Sequence, residues 1–510
     1  MKGEGRRVKG IRIITYVTLC YLNALCGLFK EDEDKGLGSG IFKDNMKNNN
    51  IYGIIIALLL LPSIVRAQYM QYPFEQSYYS MIRYDSNKLK IDNESANFNV
   101  FNSKLEKLIS NGDGQINIVQ YGGSHIQADV FSGECRSKFQ SFEGGQNAGR
   151  GFVFPYRLAH TNTPYGYYFR YTGSWESCRN TQKKKTCDMG MAGITAITHD
   201  SLSTLTLLIE PENDLDYSFN SIKIYHNTDS TSFDIIIDST LWSSKKLFKE
   251  EGYTEFKLID YTDSLNIKFV QLDTNQRFFQ LFGMYINNDF PGIVYHNFGI
   301  NGAATRSFLR CNRMTKELKS IKPDLVIFGI GINDAYGKNF HQNKFEKNYD
   351  SLVARVLEAN PNCAIVFATN NDSYYRKRYV NRNGITVQES MYKLAKKHNA
   401  AVWDMFEIMG GLNSVVLWQR AHLSKRDKIH FTRTGYILLG DMLFEAIIEN
   451  YGDFLQKKNK ALLARNNTDN KGSSSINKIQ LRNTTPFEIN SNVEISLLEN
   501  ENNIHLKSTE

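Results

Sequence analysis

The seven cysteines form no C-x-x-C pair and no Cys/His spacing of the kind that binds zinc. A structural zinc site is therefore not expected, and the sequence calls for neither a metal ion nor an organic cofactor. Cys178 and Cys187 stand nine residues apart in a polar stretch. That spacing suits a disulfide in an oxidising compartment, and two free thiols remain the alternative.

No basic stripe runs along the chain: the net charge of +8 is spread out, and residues 183–185 form the longest basic run. Nucleic-acid binding requires a clustered basic footprint, so the charge pattern argues against it. The 41% hydrophobic and 22% charged residues are typical of a globular protein, and the 12% aromatic share favours β-structure and sugar-binding surfaces. A length of 510 residues predicts two to three domains.

The apolar run at residues 51–65 is too short for a membrane span, which needs about 20 residues. It follows Met46 and Lys47 and leads to Ala67, as in a signal peptide. We predict cleavage after Ala67 and a periplasmic or secreted protein that meets the membrane only through this peptide. Translation from Met46 is our preferred account of residues 1–45, and a membrane-anchored N-terminus is the alternative.

Short apolar strands alternate with helical spacing over two parts of the chain. In the first part, a strand at 115–121 precedes Gly122, Gly123 and Ser124, and a helix follows at 130–142. In the second part the predicted elements are strand 292–299, helix 305–320, strand 323–329, helix 345–359, strand 363–369, helix 387–398, strand 400–404 and helix 435–450. This alternation predicts an α/β fold with a doubly wound, flavodoxin-like parallel sheet.

Residues 150–288 contain short β-type runs separated by Asn, Asp, Ser and Gly, with little helical spacing. They predict an inserted antiparallel β-sandwich. The predicted organisation is an N-terminal extension plus signal peptide at 1–67, the α/β domain in two parts at 68–149 and 289–457, the insertion at 150–288, and a polar, disordered tail at 458–510.

Three groups in this framework suit nucleophilic chemistry. Ser124 lies at a strand-to-helix turn behind two glycines, where a hydroxyl is exposed and accessible. Asp427 and His430 stand three residues apart in a loop, so the carboxylate can orient the imidazole while the other ring nitrogen faces the serine. Taken alone, each motif is more often an ordinary turn or helix cap.

Two further residues suit the stabilisation of an oxyanion. Asn333 follows the buried strand 323–329, and its side-chain amide is a potential donor, although Asn is also a common turn former there. Gly302 follows strand 292–299 and can offer a backbone N–H to the same place.

Four blocks occur in order: G-x-S-x-x-x-x-D around Ser124, N-x-G-x-x-G-A ending at 303, G-x-N-D around Asn333, and D-x-x-H-F-T at 427–432. Together they resemble the SGNH (GDSL-like) hydrolases, over about 115–145 and 290–450. The resemblance implies Ser124 as nucleophile, His430 as base and Asp427 as its orienting group. It also implies an oxyanion hole formed by the Ser124 N–H, Gly302 and Asn333. The family's first block usually reads Gly-Asp-Ser, and Gly123 replaces that Asp here.

Peptidoglycan O-acetylesterases of this family are similar in carrying a β-rich, carbohydrate-binding-like domain between the first two blocks, where residues 150–285 lie. We therefore expect a serine esterase that acts through an acyl-enzyme on O-acylated, above all O-acetylated, cell-wall or other polysaccharide. The alternatives are a lipase or arylesterase, a polysaccharide O-acetyltransferase, and a catalytically inactive glycan-binding protein. Several aromatic residues near the start of the insertion offer sugar-stacking faces or core contacts, namely Tyr165, Tyr167, Tyr168, Tyr171 and Trp175.

Overall fold

The computed structural model describes residues 78–92, 94–142, 147–211, 215–469, 476–482 and 492–498. The signal peptide proposed for residues 46–67 lies outside these residues, so export stays a prediction. Within the part of the chain that the structure describes, no helix is both long and apolar enough to cross a membrane. Residues Tyr79–Tyr451 form one compact unit.

The strands of this unit are, in chain order, β1 (Leu89–Lys90), β2 (Gln115–Gly122), β3 (Gly151–Val153), β4 (Tyr167–Thr172), β5 (Glu176–Arg179), β6 (Ile194–Thr198), β7 (Thr204–Ile209), β8 (Phe219–His226), β9 (Asp234–Ile236), β10 (Trp242–Phe248), β11 (Tyr253–Thr262), β12 (Ser264–Val270), β13 (Phe279–Asn287), β14 (Gly292–Gly299), β15 (Leu325–Gly329), β16 (Ala364–Ala368), β17 (Tyr374–Tyr375), β18 (Tyr379–Val380) and β19 (Ala401–Trp403).

The α-helices are α1 (Ala96–Asn111), α2 (Ser124–Gln127), α3 (Val130–Ser141), α4 (Thr305–Leu309), α5 (Met314–Ile321), α6 (Ile332–Ala335), α7 (Gln342–Ala359), α8 (Asn383–His398), α9 (Met405–Ile408), α10 (Ser414–Arg420) and α11 (Arg433–Asp469). Beyond this unit, β20 (Ile476–Arg482) pairs antiparallel with β21 (Asn492–Leu498). The predicted domain boundaries, including the disordered tail from 458, stay a prediction.

The parallel sheet has the strand order β14-β2-β15-β16-β19, with the short β1 antiparallel at the β19 edge. Numbered along the chain, its five parallel strands run 2-1-3-4-5, which is the flavodoxin-like order. Each of β14, β15 and β16 is almost wholly buried along its length, as expected for strands covered on both faces. The predicted α/β fold with a parallel sheet is confirmed.

Residues 151–287 form two antiparallel sheets. One has the order β10-β11-β8-β13-β6-β5, with β3 also paired to β13, and the other has the order β4-β7-β12-β9. The two sheets meet through Phe269 of β12 and Phe279 of β13, whose ring centroids lie 4.2 Å apart. Antiparallel sheets therefore occur where the β-type runs predicted them.

The single helix predicted at 305–320 is wrong, because the structure has α4 and α5 separated by a turn. Tertiary contacts explain the break. Met189 donates its backbone N–H to the Asn312 side chain at 2.8 Å, and Arg313 donates its backbone N–H to the Met189 carbonyl at 3.2 Å. These bonds to a distant segment replace the helical bonds that local spacing favours.

Candidate active site

Three neighbouring parallel strands end beside one another, and each leads into one of the predicted site residues. Ser124 begins α2 directly after β2, Gly302 follows β14, and Asn333 lies in α6 after β15. The order of the sheet reverses between β2 and β15, and ligands of open α/β sheets bind outside the carboxyl ends of the strands at such a point.

Helix α2 packs directly against the end of β14. A side chain at Gly299 would bring its Cβ within 2.2 Å of the Gln127 backbone nitrogen, so only glycine permits this approach. Asn297 then ties the strand to the helix by donating to the carbonyl of Ile126 at 2.7 Å. The second sequence block thus fixes Ser124 relative to the loop that carries Gly302.

Ser124, His430 and Asp427 lie in hydrogen-bond contact. The Ser124 Oγ is 2.7 Å from His430 Nε2, and His430 Nδ1 is 2.9 Å from Asp427 Oδ2. Asp427 Oδ1 also accepts the backbone N–H groups of Ile429 and His430, both at 2.9 Å. If Nδ1 carries the proton and donates to Asp427, Nε2 is free to accept the serine proton.

The electrostatics favour an ionised Asp427. Partial burial alone would raise its pKa, but the hydrogen bonds from the His430 ring and from the backbone N–H groups of His430 and Ile429 outweigh burial and lower the pKa. The carboxylate thus remains charged over the range in which enzymes operate, which suits a group that orients an imidazole and stabilises its protonated form.

The two predicted oxyanion donors lie next to each other and to Gly123. Asn333 donates one amide hydrogen to the Ala303 carbonyl at 2.9 Å, which leaves the second free. A Cβ at position 123 would be 3.0 Å from Asn333 Nδ2. Gly302 is exposed with a φ of 79°, and within the described residues its backbone N–H makes no hydrogen bond. The catalytic roles of all these residues stay predictions.

The sequence did not predict the contacts by which Gln127 and Asp334 hold the loop around Gly302. Gln127 accepts the backbone N–H of Asn301 at 2.6 Å through its side chain, while its amide group donates to Thr161 and Asn162. It therefore links the loop before Gly302 to the start of the β-rich segment. The buried side chain of Gln127 follows the serine by three residues, and that proximity was its only sequence signal.

Asp334 holds the other side of the same loop. It accepts the Thr305 backbone N–H at 2.9 Å and the Thr305 hydroxyl at 2.6 Å, which fixes the first turn of α4 after Gly302. Burial raises the pKa of Asp334 despite these bonds. Its sequence signal was its place directly after Asn333 in the third block.

A second histidine, His125, packs next to His430. His125 Nδ1 is 2.8 Å from the Tyr436 hydroxyl, and the His125 and His430 rings have centroids 5.2 Å apart. Burial of its nitrogens, with the nearby His430, lowers the pKa of His125 to about 3. A neutral ring is thus held next to His430.

Asp129 belongs to a buried charge cluster and does not cap α3 through its side chain. It pairs with Arg136 at 2.8 Å and with Arg150. Burial alone would raise its pKa, but the two guanidinium groups lower it to about 2. The cluster connects α3 to the segment that leads into β3.

The remaining sequence expectations concern aromatic rings and cysteines. Tyr167 is buried in the core, whereas Tyr165 is 53% exposed and lies beneath the Arg433 guanidinium, 5.1 Å from its ring centroid. Tyr165 therefore lies next to the start of α11, three residues beyond His430. Cys178 and Cys187 form a disulfide in the structure.

Comparisons with known proteins indicate the family and the fold. The profile of the GDSL-like lipase/acylhydrolase family matches residues 261–438. The fold is similar to a solved structure described as a peptidoglycan O-acetylesterase in action, with a TM-score of 0.60 and 21% identity over 71% of this chain and 99% of that one. The family match and the shared fold support the predicted resemblance to the SGNH hydrolases.

Two other solved structures match a smaller share of the chain. They are the lipase/acylhydrolase from Enterococcus faecalis, with a TM-score of 0.26 and 21% identity over 31% of this chain and 76% of that one, and the acetyl xylan esterase AlAXEase, with a TM-score of 0.25 and 20% identity over 30% and 80%. A search of curated proteins found no match. The match of residues 261–438 to the GDSL-like lipase/acylhydrolase family supports ester-bond hydrolysis as the activity.

Proposed function

We propose that the protein is a serine esterase that removes O-acyl groups, above all O-acetyl groups, from cell-wall or other polysaccharide through an acyl-enzyme. The contact between the Ser124 hydroxyl and His430 Nε2 at 2.7 Å carries the proposal. His430 takes the serine proton as the hydroxyl attacks the ester carbonyl, and later returns it to the departing sugar oxygen. The N–H groups of Ser124 and Gly302 and the amide of Asn333 stabilise the oxyanion.

The proposed substrate class, an acylated polysaccharide, is argued from the β-rich segment outside the candidate catalytic residues. The segment 150–288 acts in this proposal as an inserted β-sandwich domain, and the exposed Tyr165 supports its role in holding a glycan chain near the catalytic groups. The solved structure described as a peptidoglycan O-acetylesterase matches 71% of this chain, and it supports an acylated polysaccharide as the substrate. An exported protein with this activity would meet acetylated polysaccharide in the periplasm or outside the cell.

A polysaccharide O-acetyltransferase would share the acyl-enzyme but would have to exclude water from it. Gly302 is exposed, and the space above it is open. Water therefore has access to the acyl carbon, which favours hydrolysis over transfer. Acetate release measured with and without an acceptor glycan separates the two activities.

The proposal is tested with 4-nitrophenyl acetate and O-acetylated peptidoglycan as substrates. We expect Ser124→Ala to lower acetate release from both by about a thousandfold or more, while Ser243→Ala, at an exposed serine of β10, leaves it unchanged. A fluorophosphonate probe is expected to modify the peptide that contains Ser124. No release from either substrate by the wild-type protein would favour the inactive glycan-binding alternative. Release from the small ester alone would favour a lipase or arylesterase.

A further inference from the structure

A short basic hairpin lies at the edge of the catalytic residues. It consists of β17, β18 and the turn between them, residues 374–380. Arg376, Lys377 and Arg378 form the turn and are all exposed. None of the three forms an ion pair within the described residues.

The hairpin contacts both halves of the predicted catalytic machinery. On one side, Tyr374 donates its backbone N–H to the Lys428 carbonyl at 3.1 Å, and the Lys428 ammonium lies 4.1 Å from the Tyr374 ring centroid. Lys428 lies between Asp427 and His430. These contacts fix the hairpin against the loop that carries the candidate base.

On the other side, Arg376 donates its backbone N–H to the Tyr336 hydroxyl at 3.1 Å, and the Tyr336 and Tyr375 rings have centroids 5.2 Å apart. Tyr336 follows Asn333 by three residues. The turn is therefore held between the segment that carries Asn333 and the segment that carries His430, beside the place where the ester must bind.

The turn keeps long basic side chains at positions that disfavour them. The Arg378 N–H donates to the Tyr375 carbonyl at 3.2 Å, and Arg376 and Lys377 have φ values of 51° and 62°. A turn with two positive φ values normally takes Asn and Gly, because other L-residues rarely adopt this conformation. Folding alone would favour Asn-Gly here, so the two side chains call for an explanation outside the turn.

More positive charge lies on the neighbouring loop. Lys425 and Arg426 are exposed next to Asp427, and neither forms an ion pair within the described residues. With Lys428 and the three basic residues of the hairpin, six cations lie on the hairpin and on the loop that carries His430. The carboxylate of Asp427, which lies in the same loop, is bonded to His430.

We infer that the basic hairpin binds carboxylate groups of an anionic polysaccharide and thereby selects acidic glycans as substrates. The inference rests on the proposed function for the position of the scissile ester, and it adds the charge of the polymer that carries the ester. Exposed ion pairs contribute little individually, but several cations that face a polyanion act together and raise its local concentration. The tyrosines that flank the turn offer ring faces to the sugars between the carboxylates.

The test uses polygalacturonate and its amidated, uncharged form as probes, because neither carries an acetyl ester to be consumed. We expect the wild-type protein to bind polygalacturonate about tenfold more tightly than the amidated polymer at low ionic strength, with the difference shrinking as salt is added. The variant R376Q/K377Q/R378Q is expected to bind polygalacturonate about tenfold more weakly. Its thermal unfolding temperature should match that of the wild type, which separates a loss of affinity from a loss of folding.

Two control variants sharpen the result. K183Q/K184Q/K185Q removes the same charge from an exposed run in the loop between β5 and β6, and it should bind like the wild type. R376N/K377G installs the residues that the turn prefers, so it should unfold at a temperature about 2–4 °C higher while binding the polyanion more weakly. A purely structural hairpin would gain stability without losing affinity.

Equal binding of the charged and amidated polymers overturns the inference, as does equal loss of affinity in the two triple variants. Failure of the proposed function has a different signature. In that case 4-nitrophenyl acetate is not hydrolysed, whereas charge-dependent binding through the hairpin persists and supports the inference independently.

Discussion

The substitution Asp427→Asn separates the orientation of His430 from the folding of its loop. The new side-chain oxygen can still accept the backbone N–H groups of Ile429 and His430, which lie at 2.9 Å from Asp427 Oδ1. The new amide group, however, would donate to His430 Nδ1. The ring proton then moves to Nε2. The Ser124 hydroxyl, which lies 2.7 Å from Nε2 in the native protein, thereby loses its acceptor.

The expected loss of activity is large and the expected loss of stability is small. The same change in a serine protease triad lowers kcat by about 10⁴, which corresponds to about 5.5 kcal/mol of transition-state stabilisation. The Asp427 side chain is 32% exposed, and two of its three hydrogen bonds survive the substitution. We therefore expect the free energy of unfolding to fall by only about 1 kcal/mol.

The assay is 4-nitrophenyl acetate turnover at pH 7.5 together with urea unfolding of each variant. Asp427→Ala is the matched control, because it removes all three acceptor contacts and should lose more stability than Asp427→Asn while being similarly inactive. An Asp427→Asn variant that keeps more than a tenth of the wild-type kcat refutes the orienting role. If it loses as much stability as Asp427→Ala, the assignment of the surviving bonds is wrong.

Three further predictions follow from contacts around the site. Gln127→Ala should lower kcat about tenfold by releasing the loop before Gly302, and Gln127→Glu, which keeps an acceptor for that loop, should recover part of the loss when assayed on the small ester. Gly123→Asp restores the usual family sequence but places a Cβ 3.0 Å from Asn333 Nδ2. We therefore expect kcat to fall, and a variant with a higher kcat would contradict this geometry. Burial lowers the pKa of His296 to about 3. When the pH is lowered from 7.5 to 5.5, the unfolded chain therefore gains a proton at this histidine and the folded protein does not. The free energy of unfolding decreases as a result. Urea unfolding at the two pH values should show about 1.4 kcal/mol less acid-induced loss in His296→Gln than in the wild type.

The sequence alone predicted those parts of the fold and of the candidate site that depend on local patterns. Buried strands that end in Gly or Asn turns predicted the parallel sheet, and the order of four short blocks pointed to Ser124 and His430, which the structure brings together. The sequence did not predict features that depend on contacts between segments far apart in the chain. The break between α4 and α5 depends on Met189, and the contact of Gln127 with Asn301 joins segments far apart in the chain. No local spacing encodes such contacts.

The pairing of β2 with β14 has a consequence for how the protein folds. The two strands are paired residue by residue, from Gln115 with Gly292 to Gly122 with Gly299, although the whole antiparallel region lies between them in the chain. Closing so long a loop costs about 4–5 kcal/mol in chain entropy. Asn288 donates its backbone N–H to the Ala148 carbonyl at 3.2 Å, so the two ends of that region lie side by side.

We therefore expect the antiparallel sheets to form first and to bring β14 to β2, which makes the long closure a short one. Pulsed hydrogen exchange during refolding should then protect the amides of β8 and β13 before those of β2 and β14, and the reverse order would contradict this sequence of events. On this route Gly302, the proposed oxyanion donor, reaches Ser124 only after the antiparallel sheets have folded. A destabilising substitution within those sheets would therefore delay the appearance of activity without changing any of the proposed catalytic residues.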